Sequence, residues 1–230
     1  MSKAKSLVLF DIDGTLLRGA GRHHKDALAE GISRVTGIAT TLDGVATSGM
    51  LDRDLIAVML RARGVGERKI RAAMRQIVAE CQIVYLENCA SDLRDYVCRG
   101  VSGFLSALQA RGAALGVVTG NLTQIGWKKL ELAELRTHFT FGAFAEDGTT
   151  RARLARIAAN RAKKAGIAAG NARISLIGDH SNDIQAAKAN GFQAIAVATG
   201  LMPYEELQAH DPDILVNDLT ELEITRLVAG

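Results

Sequence analysis

The stretch Leu7-Val8-Leu9-Phe10-Asp11-Ile12-Asp13-Gly14-Thr15-Leu16 constrains this chain more than any other. An apolar run that gives way to two alternating carboxylates and a glycine reads as a buried parallel strand ending in a tight turn. Open α/β sheets bind ligands in the crevice beyond the carboxyl ends of their strands, which is where these acids fall. Successive strand residues face opposite ways, but a turn past the strand end can aim Asp11 and Asp13 into one space. Two like charges crowded there need compensation, by a hard cation with oxygen ligands or by a proton held on one acid. An isolated Asp-Gly is ordinary turn chemistry, so partners elsewhere in the chain must decide.

Those partners recur at the ends of later apolar runs. Ala114 to Val118 leads into Thr119-Gly120-Asn121, and Arg173 to Gly178 leads into Asp179, with Asp183 four residues on in the opening turn of a helix. Ala194 to Ala198 runs into Thr199-Gly200, Phe139 to Phe144 holds a short strand, and Ile214 to Val216 is the last. Helical patterns separate them at 101–111, 123–135, 151–165 and 219–228. This alternation predicts a doubly wound, Rossmann-like parallel sheet.

Between His24 and Cys98 the periodicity is helical throughout. The expected organisation is an α/β core of residues 1–17 and 99–230 with an all-helical cap, residues 18–98, inserted in the first crossover. Leu17-Arg18-Gly19-Ala20-Gly21 reads as a flexible exit, and Thr47-Ser48-Gly49-Met50-Leu51 as a loop ahead of a helix that Asp52 caps. Arg61, Arg63, Arg68, Lys69, Arg71 and Arg75 read as a solvated helix face.

A chain of 230 residues, 48% hydrophobic and 23% charged, is long enough for a substantial core. The formal charge of +3 gives no ground for a nucleic-acid or anionic-membrane partner. The apolar run before Asp11 is too short for a signal peptide or a membrane span, and Cys81, Cys89 and Cys98 lack metal or redox spacing. The expectation is a cytoplasmic protein with reduced thiols, working as a monomer or homodimer.

Asp11, Asp13, Asp179 and Asp183 converging without His or Cys describe a hard, octahedral oxygen site, for which Mg²⁺ is the first choice. Such a site serves a phosphate, whose remaining oxygens the Thr119 hydroxyl, the Gly120 and Asn121 N–H groups and a nearby cation would hold.

Asp11-Ile12-Asp13-Gly14-Thr15-Leu16, Val117-Val118-Thr119-Gly120-Asn121 and Gly178-Asp179-His180-Ser181-Asn182-Asp183 resemble, in order, the first, second and fourth motifs of the haloacid dehalogenase superfamily. The resemblance implies that Asp11 is the nucleophile, forming an aspartyl phosphate, and that Asp13 exchanges protons with the leaving group and then with water. It implies that Mg²⁺ is held by the Asp11 carboxylate, the Asp13 backbone carbonyl, Asp179 and Asp183, and that Thr119 binds the phosphoryl group. Dehalogenases of the superfamily lack the second acid, so Asp13 points to phosphate esters. The third motif, normally Lys, is absent, and Thr149-Thr150-Arg151-Ala152-Arg153 stands at its place. Arg151 is the expected substitute and Arg153 its rival.

The helical insertion resembles that of the phosphoglycolate phosphatase and β-phosphoglucomutase branch, and Gly49-Met50-Leu51-Asp52-Arg53 is similar to the stretch by which those caps reach the active site. Arg53 is then expected to meet a substrate carboxylate or second phosphate. His180 is expected to face solvent, and His23 and His24 at the cap hinge carry no assigned role. The resulting expectation is a Mg²⁺-dependent phosphatase for a small phosphorylated metabolite, phosphoglycolate-like. Its rivals are a sugar phosphomutase and a phosphate-binding protein without turnover.

Overall fold

The computed structural model describes residues 3–20, 22–45, 47 and 49–228. Gly21 of the expected exit and Ser48 of the expected cap loop lie outside the described residues. In chain order the elements are β1 (Ala4–Phe10), α1 (Arg22–Thr36), α2 (Asp52–Arg61), α3 (Glu67–Asn88), α4 (Val101–Ala110), β2 (Ala114–Val118) and α5 (Thr123–Leu132). They continue with β3 (Gly142–Ala143), α6 (Arg151–Lys164), β4 (Ala168–Gly178), α7 (Ser181–Ala189), β5 (Gln193–Val197), α8 (Tyr204–Ala209) and β6 (Ile214–Val216). Among the described residues the strands form one parallel sheet in the order β3-β2-β1-β4-β5-β6. This is the Rossmann-like α/β fold that the strand–helix alternation predicts.

β1 is central because both of its faces are apolar. Leu7 and Leu9 belong to one buried cluster, shared with α6, α7 and the helices of 22–88, while Val8 and Phe10 belong to another on the opposite face. Alternation with a period of two splits Leu7 to Phe10 between two cores, so both faces of the strand's second half are apolar. Phe10 meets Phe139 and Phe104 edge-on, with ring centroids 5.9 and 6.5 Å apart. Truncating Phe10 to alanine in such a setting costs about 3–5 kcal/mol.

The helices α1, α2 and α3 all fall within the 18–98 segment, and two antiparallel passes of chain join that segment to the sheet. Leu17 bridges Val97, Arg18 N–H donates to Tyr96 O at 2.8 Å, and Cys98 N–H donates to Leu16 O at 2.9 Å. The basic run is solvated as expected, Arg61 pairing with Glu67 at the α2–α3 turn. The three cysteines are free thiols. Among the described residues no helix is long and apolar enough to cross a membrane.

Three elements differ from expectation. The strand expected over 139–144 is reduced to the edge pair Gly142–Ala143. The helix expected over 219–228 is only a 3₁₀ turn, Ile224–Arg226. There Asn217 and Glu221 bond side chain to side chain and to backbone, and Thr220 does the same with Asp218, local bonds that compete with a regular helix. An unexpected short helix, α8, follows Pro203, with Glu205 and Glu206 in its first turn, where acids suit the helix dipole.

Candidate active site

The sheet reverses its winding between β1 and β4, since β2 and β3 lie on one side of β1 and β4, β5 and β6 on the other. Asp11 leaves the end of β1 with its N–H bonded to Ile177 O at 3.0 Å, and Asp179 leaves the end of β4 beside it. Asp183 comes from the first turn of α7, a helix whose N-cap, His180, accepts the Asn182 N–H through Nδ1 at 3.2 Å. Carboxylate oxygens of Asp11, Asp179 and Asp183 lie within 4.8 Å of one another, and all three residues are buried.

Among the described residues one cation, Arg151, pairs with this cluster. The Thr150 side chain caps α6 by accepting the Arg153 N–H, which makes Arg151 the first residue of the helix. Its side chain turns into the core, leaving 8% exposed, where Nη1 donates to Asp11 Oδ1 at 2.8 Å and to Val118 O at 3.2 Å, while Nε lies 3.3 Å from Asp183 Oδ1. Arg153 is exposed instead, so of the two expected rivals it is Arg151 that reaches the acids. Burial raises Asp11, Asp179 and Asp183 above the usual carboxylate range, and the repulsion of neighbouring acids adds to it while Arg151 opposes it. Burial works against the Arg151 charge too, but Asp11 and Asp183 outweigh it and hold the guanidinium firmly protonated.

The residues here fit a hard divalent cation. Both Asp183 carboxylate oxygens are buried without a hydrogen-bond partner, an expensive arrangement for a carboxylate that has no other ligand. Asp179 is cradled by backbone: a Cβ added at Gly14, where φ is +91°, would sit 2.1 Å from Asp179 Oδ2, and one at Gly200 1.7 Å from it. Thr15 Oγ1 donates to Asp179 Oδ1 at 3.1 Å, and Thr199 Oγ1 donates to Gly14 O at 2.6 Å, fixing the cradle. Oxygen donors alone, with no His or thiolate among them, suit Mg²⁺ better than a softer ion.

Asp13 behaves differently, which corrects the expectation that four acidic side chains gather about one ion. Its carboxylate accepts from Lys129 Nζ at 2.8 and 2.7 Å and from Asn121 Nδ2 at 2.7 Å. Burial opposes its ionisation, yet the Lys129 ammonium beside it, with the hydrogen bonds from Lys129 and Asn121, holds the carboxyl below its usual range. Two neighbouring carboxyls are thus pushed in opposite directions, Asp11 up and Asp13 down.

Lys129, fully buried, is a site residue that the sequence reading missed. The signal was its helical phase: on α5 it shares the inward face with Ile125, Gly126 and Leu130. Asp52 does not cap α2 as expected; Leu51 occupies that place, and Asp52 points inward at 2% exposure. Arg53, next on the helix, is half-buried and does not line the cavity, since a 100° step of helix turns it away from the face that Asp52 and Leu55 present. His180 is half-buried at the cavity wall against Gly49, and so does not stand free in solvent as expected.

The cavity holds about 750 Å³ and reaches from Asp11, Asp13 and Thr119 to Met50 and Leu55. Thr119 is buried, and its Oγ1 accepts from Asn121 Nδ2 at 2.6 Å and from Asn121 N at 3.3 Å. Both are acceptances, which leaves the hydroxyl's own proton to be donated toward the cavity. Asn121 is drawn inward by these contacts and by Lys129, so its side chain braces the site rather than facing a ligand. Gly120 lines the cavity, and its carbonyl accepts the Asp52 N–H at 2.8 Å.

Comparison with known proteins agrees with this geometry. Residues 5–191 match the haloacid dehalogenase-like hydrolase family. A probable phosphatase, IndB, from Dickeya dadantii is 25% identical over 95% of this chain and 92% of its own length. Phosphoglycolate phosphatase of Escherichia coli is 30% identical, but the match spans 53% of this chain and 48% of that protein. In structure, β-phosphoglucomutase from Clostridium difficile superposes with a TM-score of 0.68 at 16% identity, over 98% of this chain and 95% of that one, a likeness of fold. The chain belongs to the haloacid dehalogenase-like hydrolase family and is an enzyme of the phosphatase kind.

Proposed function

We propose that this enzyme hydrolyses small phosphorylated metabolites of the phosphoglycolate class, through a phosphoryl group carried on Asp11 and with Mg²⁺ as cofactor. The observation that carries the reading is the separation of carboxylates at the sheet's reversal point. Asp11, Asp179 and Asp183 share one buried space with Arg151, while Asp13 is held apart in the cavity wall by Lys129.

The Asp11, Asp179 and Asp183 carboxylates and the Asp13 backbone carbonyl would hold Mg²⁺, which when bound offsets the negative charge of the acids and of the phosphate. Arg151 occupies Asp11 Oδ1, leaving Oδ2 for attack on phosphorus. As that P–O bond forms, the bond to the leaving oxygen breaks and Asp13 supplies its proton. Water then attacks the phosphorus of the aspartyl phosphate and gives a proton to Asp13, and inorganic phosphate leaves with Asp11 regenerated. The Thr119 hydroxyl and the Gly120 N–H hold the phosphoryl oxygens throughout. The lowered Asp13 carboxyl favours the anion, the form that receives a proton from water, so for the first step Asp13 takes up a proton from solvent or from the entering phosphate monoester before passing it to the leaving oxygen. Arg151 beside Asp11 supplies the cation of the missing third motif, which removes the ground for a binding protein without turnover.

In the same reading residues 18–98 serve as a lid over the core of 1–17 and 99–230, excluding water from the aspartyl phosphate. Asn182 Nδ2 donates to Gly49 O at 2.9 Å and Gln124 N–H donates to Gln82 Oε1 at 2.8 Å, contacts that support a closed lid. A mutase is the second reading, favoured by a cavity roomy enough for a phosphosugar. The test is phosphate release from a panel of phosphometabolites, with MgCl₂ or EDTA and with Asp11→Asn as control. Magnesium-dependent release without an added acceptor is the expected result. Release that occurs only with a sugar acceptor would assign the enzyme to the mutases, and full activity of the Asp11→Asn protein would end the reading.

A further inference from the structure

Behind Asp13 lies a chain of buried polar contacts that runs into the lid. Lys129 Nζ, besides holding Asp13, donates to Asn121 Oδ1 at 2.7 Å and lies 3.1 Å from His24 Nδ1. An ammonium only donates, so His24 Nδ1 is the acceptor and the ring carries its proton on Nε2. Nε2 then donates to Asp52 Oδ2 at 2.8 Å, and the same oxygen accepts the Leu122 N–H, at the start of α5, at 2.7 Å. The three protons of Lys129 therefore all have fixed directions, set by β1's turn, the loop before α5, and α1. Asp52 of α2 fixes His24 in turn. A buried ammonium so fully bonded is costly to assemble and cannot wander.

We infer that Lys129 is a positioning residue for Asp13: it keeps the Asp13 carboxylate turned from the Asp11, Asp179 and Asp183 cluster toward the leaving-group side of the cavity, and His24 and Asp52 make that aim depend on a seated lid. The inference rests on the acid–base role proposed for Asp13. Without the ammonium, Asp13 keeps a single restraint in Asn121 and lies two residues from a cation site that attracts any free carboxylate. The loss is one of aim, so it falls on steps that need Asp13 to deliver a proton and spares those that do not.

The test compares p-nitrophenyl phosphate, whose leaving group departs without a proton, with phenyl phosphate, whose leaving group needs one more. Values of kcat/KM, which report the first phosphoryl transfer, are measured for the parent, K129M, D13N and D13N/K129M. K129M is expected to lower kcat/KM for phenyl phosphate by roughly 10- to 100-fold and for p-nitrophenyl phosphate by much less. In the D13N background the same change is expected to have no further effect. Equal losses on both esters, or a further loss in the double variant, would overturn the inference. Full activity of D13N would instead remove the acid–base reading beneath it. Melting curves establish that each variant is folded. Should K129M fail to fold, H24F, which keeps a ring against Tyr85 but removes the Nδ1 acceptor, is judged by the same two comparisons.

Discussion

Replacing Arg151 by methionine tests the electrostatics of the site without reference to any substrate. Methionine fills similar space, but it leaves Asp11 and Asp183 without their cation and Val118 O without a donor. Breaking a buried ion pair by removing one partner costs about 3–5 kcal/mol. At roughly 2–4 °C per kcal/mol for a chain of this size, the melting temperature in EDTA should fall by about 6–20 °C. The pH dependence carries a definite sign. Burial, with repulsion among the acids, pushes Asp179 up to about 8 and Asp183 to about 7, so the folded protein holds protons that the unfolded chain releases near its ordinary value of about 4. The stability these groups contribute is complete below the ordinary value and is lost as pH rises through 7 to 8. Removing Arg151 raises the acids further, so the deficit of the variant must be larger at pH 8 than at pH 5. MgCl₂, binding the native state alone, should recover part of it, and Arg151→Lys, which restores the charge but not the fork, should fall between. Differential scanning fluorimetry at the two pH values, with EDTA or MgCl₂, makes the measurement. A variant melting with the parent at pH 8 in EDTA, or an equal deficit at both pH values, would refute this account of the cluster.

Asp11→Asn should lower phosphate release by at least about 10³-fold while melting no lower than the parent in EDTA at pH 8, because it removes one like charge from a crowded group; a lower melting point would contradict the repulsion argument. Gly200→Ala places a Cβ 1.7 Å from Asp179 Oδ2, so a magnesium titration of phosphate release should shift to at least about tenfold higher concentration, and an unmoved titration would count against the cradle. Arg53→Ala should leave KM unchanged across carboxylated and doubly phosphorylated substrates, and a raised KM would return Arg53 to the substrate.

How much of this was legible in the sequence follows from what fixes each side chain. Asp11, Asp179 and Asp183 were readable because an apolar run that stops at an acid fixes that acid at a strand end, and parallel topology sends strand ends to one edge of the sheet. Arg151 was readable from its place on the first turn after the third strand, and a Thr150 cap settles its direction over that of Arg153. The contacts of Asp13 were not readable in the same way. Its carboxylate is aimed by Lys129, 116 residues on, and Lys129 by His24, which in turn meets Asp52 28 residues away. The neighbouring Lys128 pairs with Glu131 at the surface, so of two adjacent lysines only helical phase separates the buried one from the solvated one. Arg53 lies off the cavity for a related reason: α2 starts at Asp52, whose N–H docks on Gly120 O, and that long-range bond sets which of two adjacent charged residues faces the cavity. The placing of acids at strand ends is therefore written locally, whereas the aim of the Asp13 carboxylate is written across the contact between residues 18–98 and the sheet. Substitutions that change specificity or the fate of the phosphoryl group should accordingly cluster at that junction, around Asp52, His24 and Lys129, while those at the three buried carboxylates remove the reaction altogether.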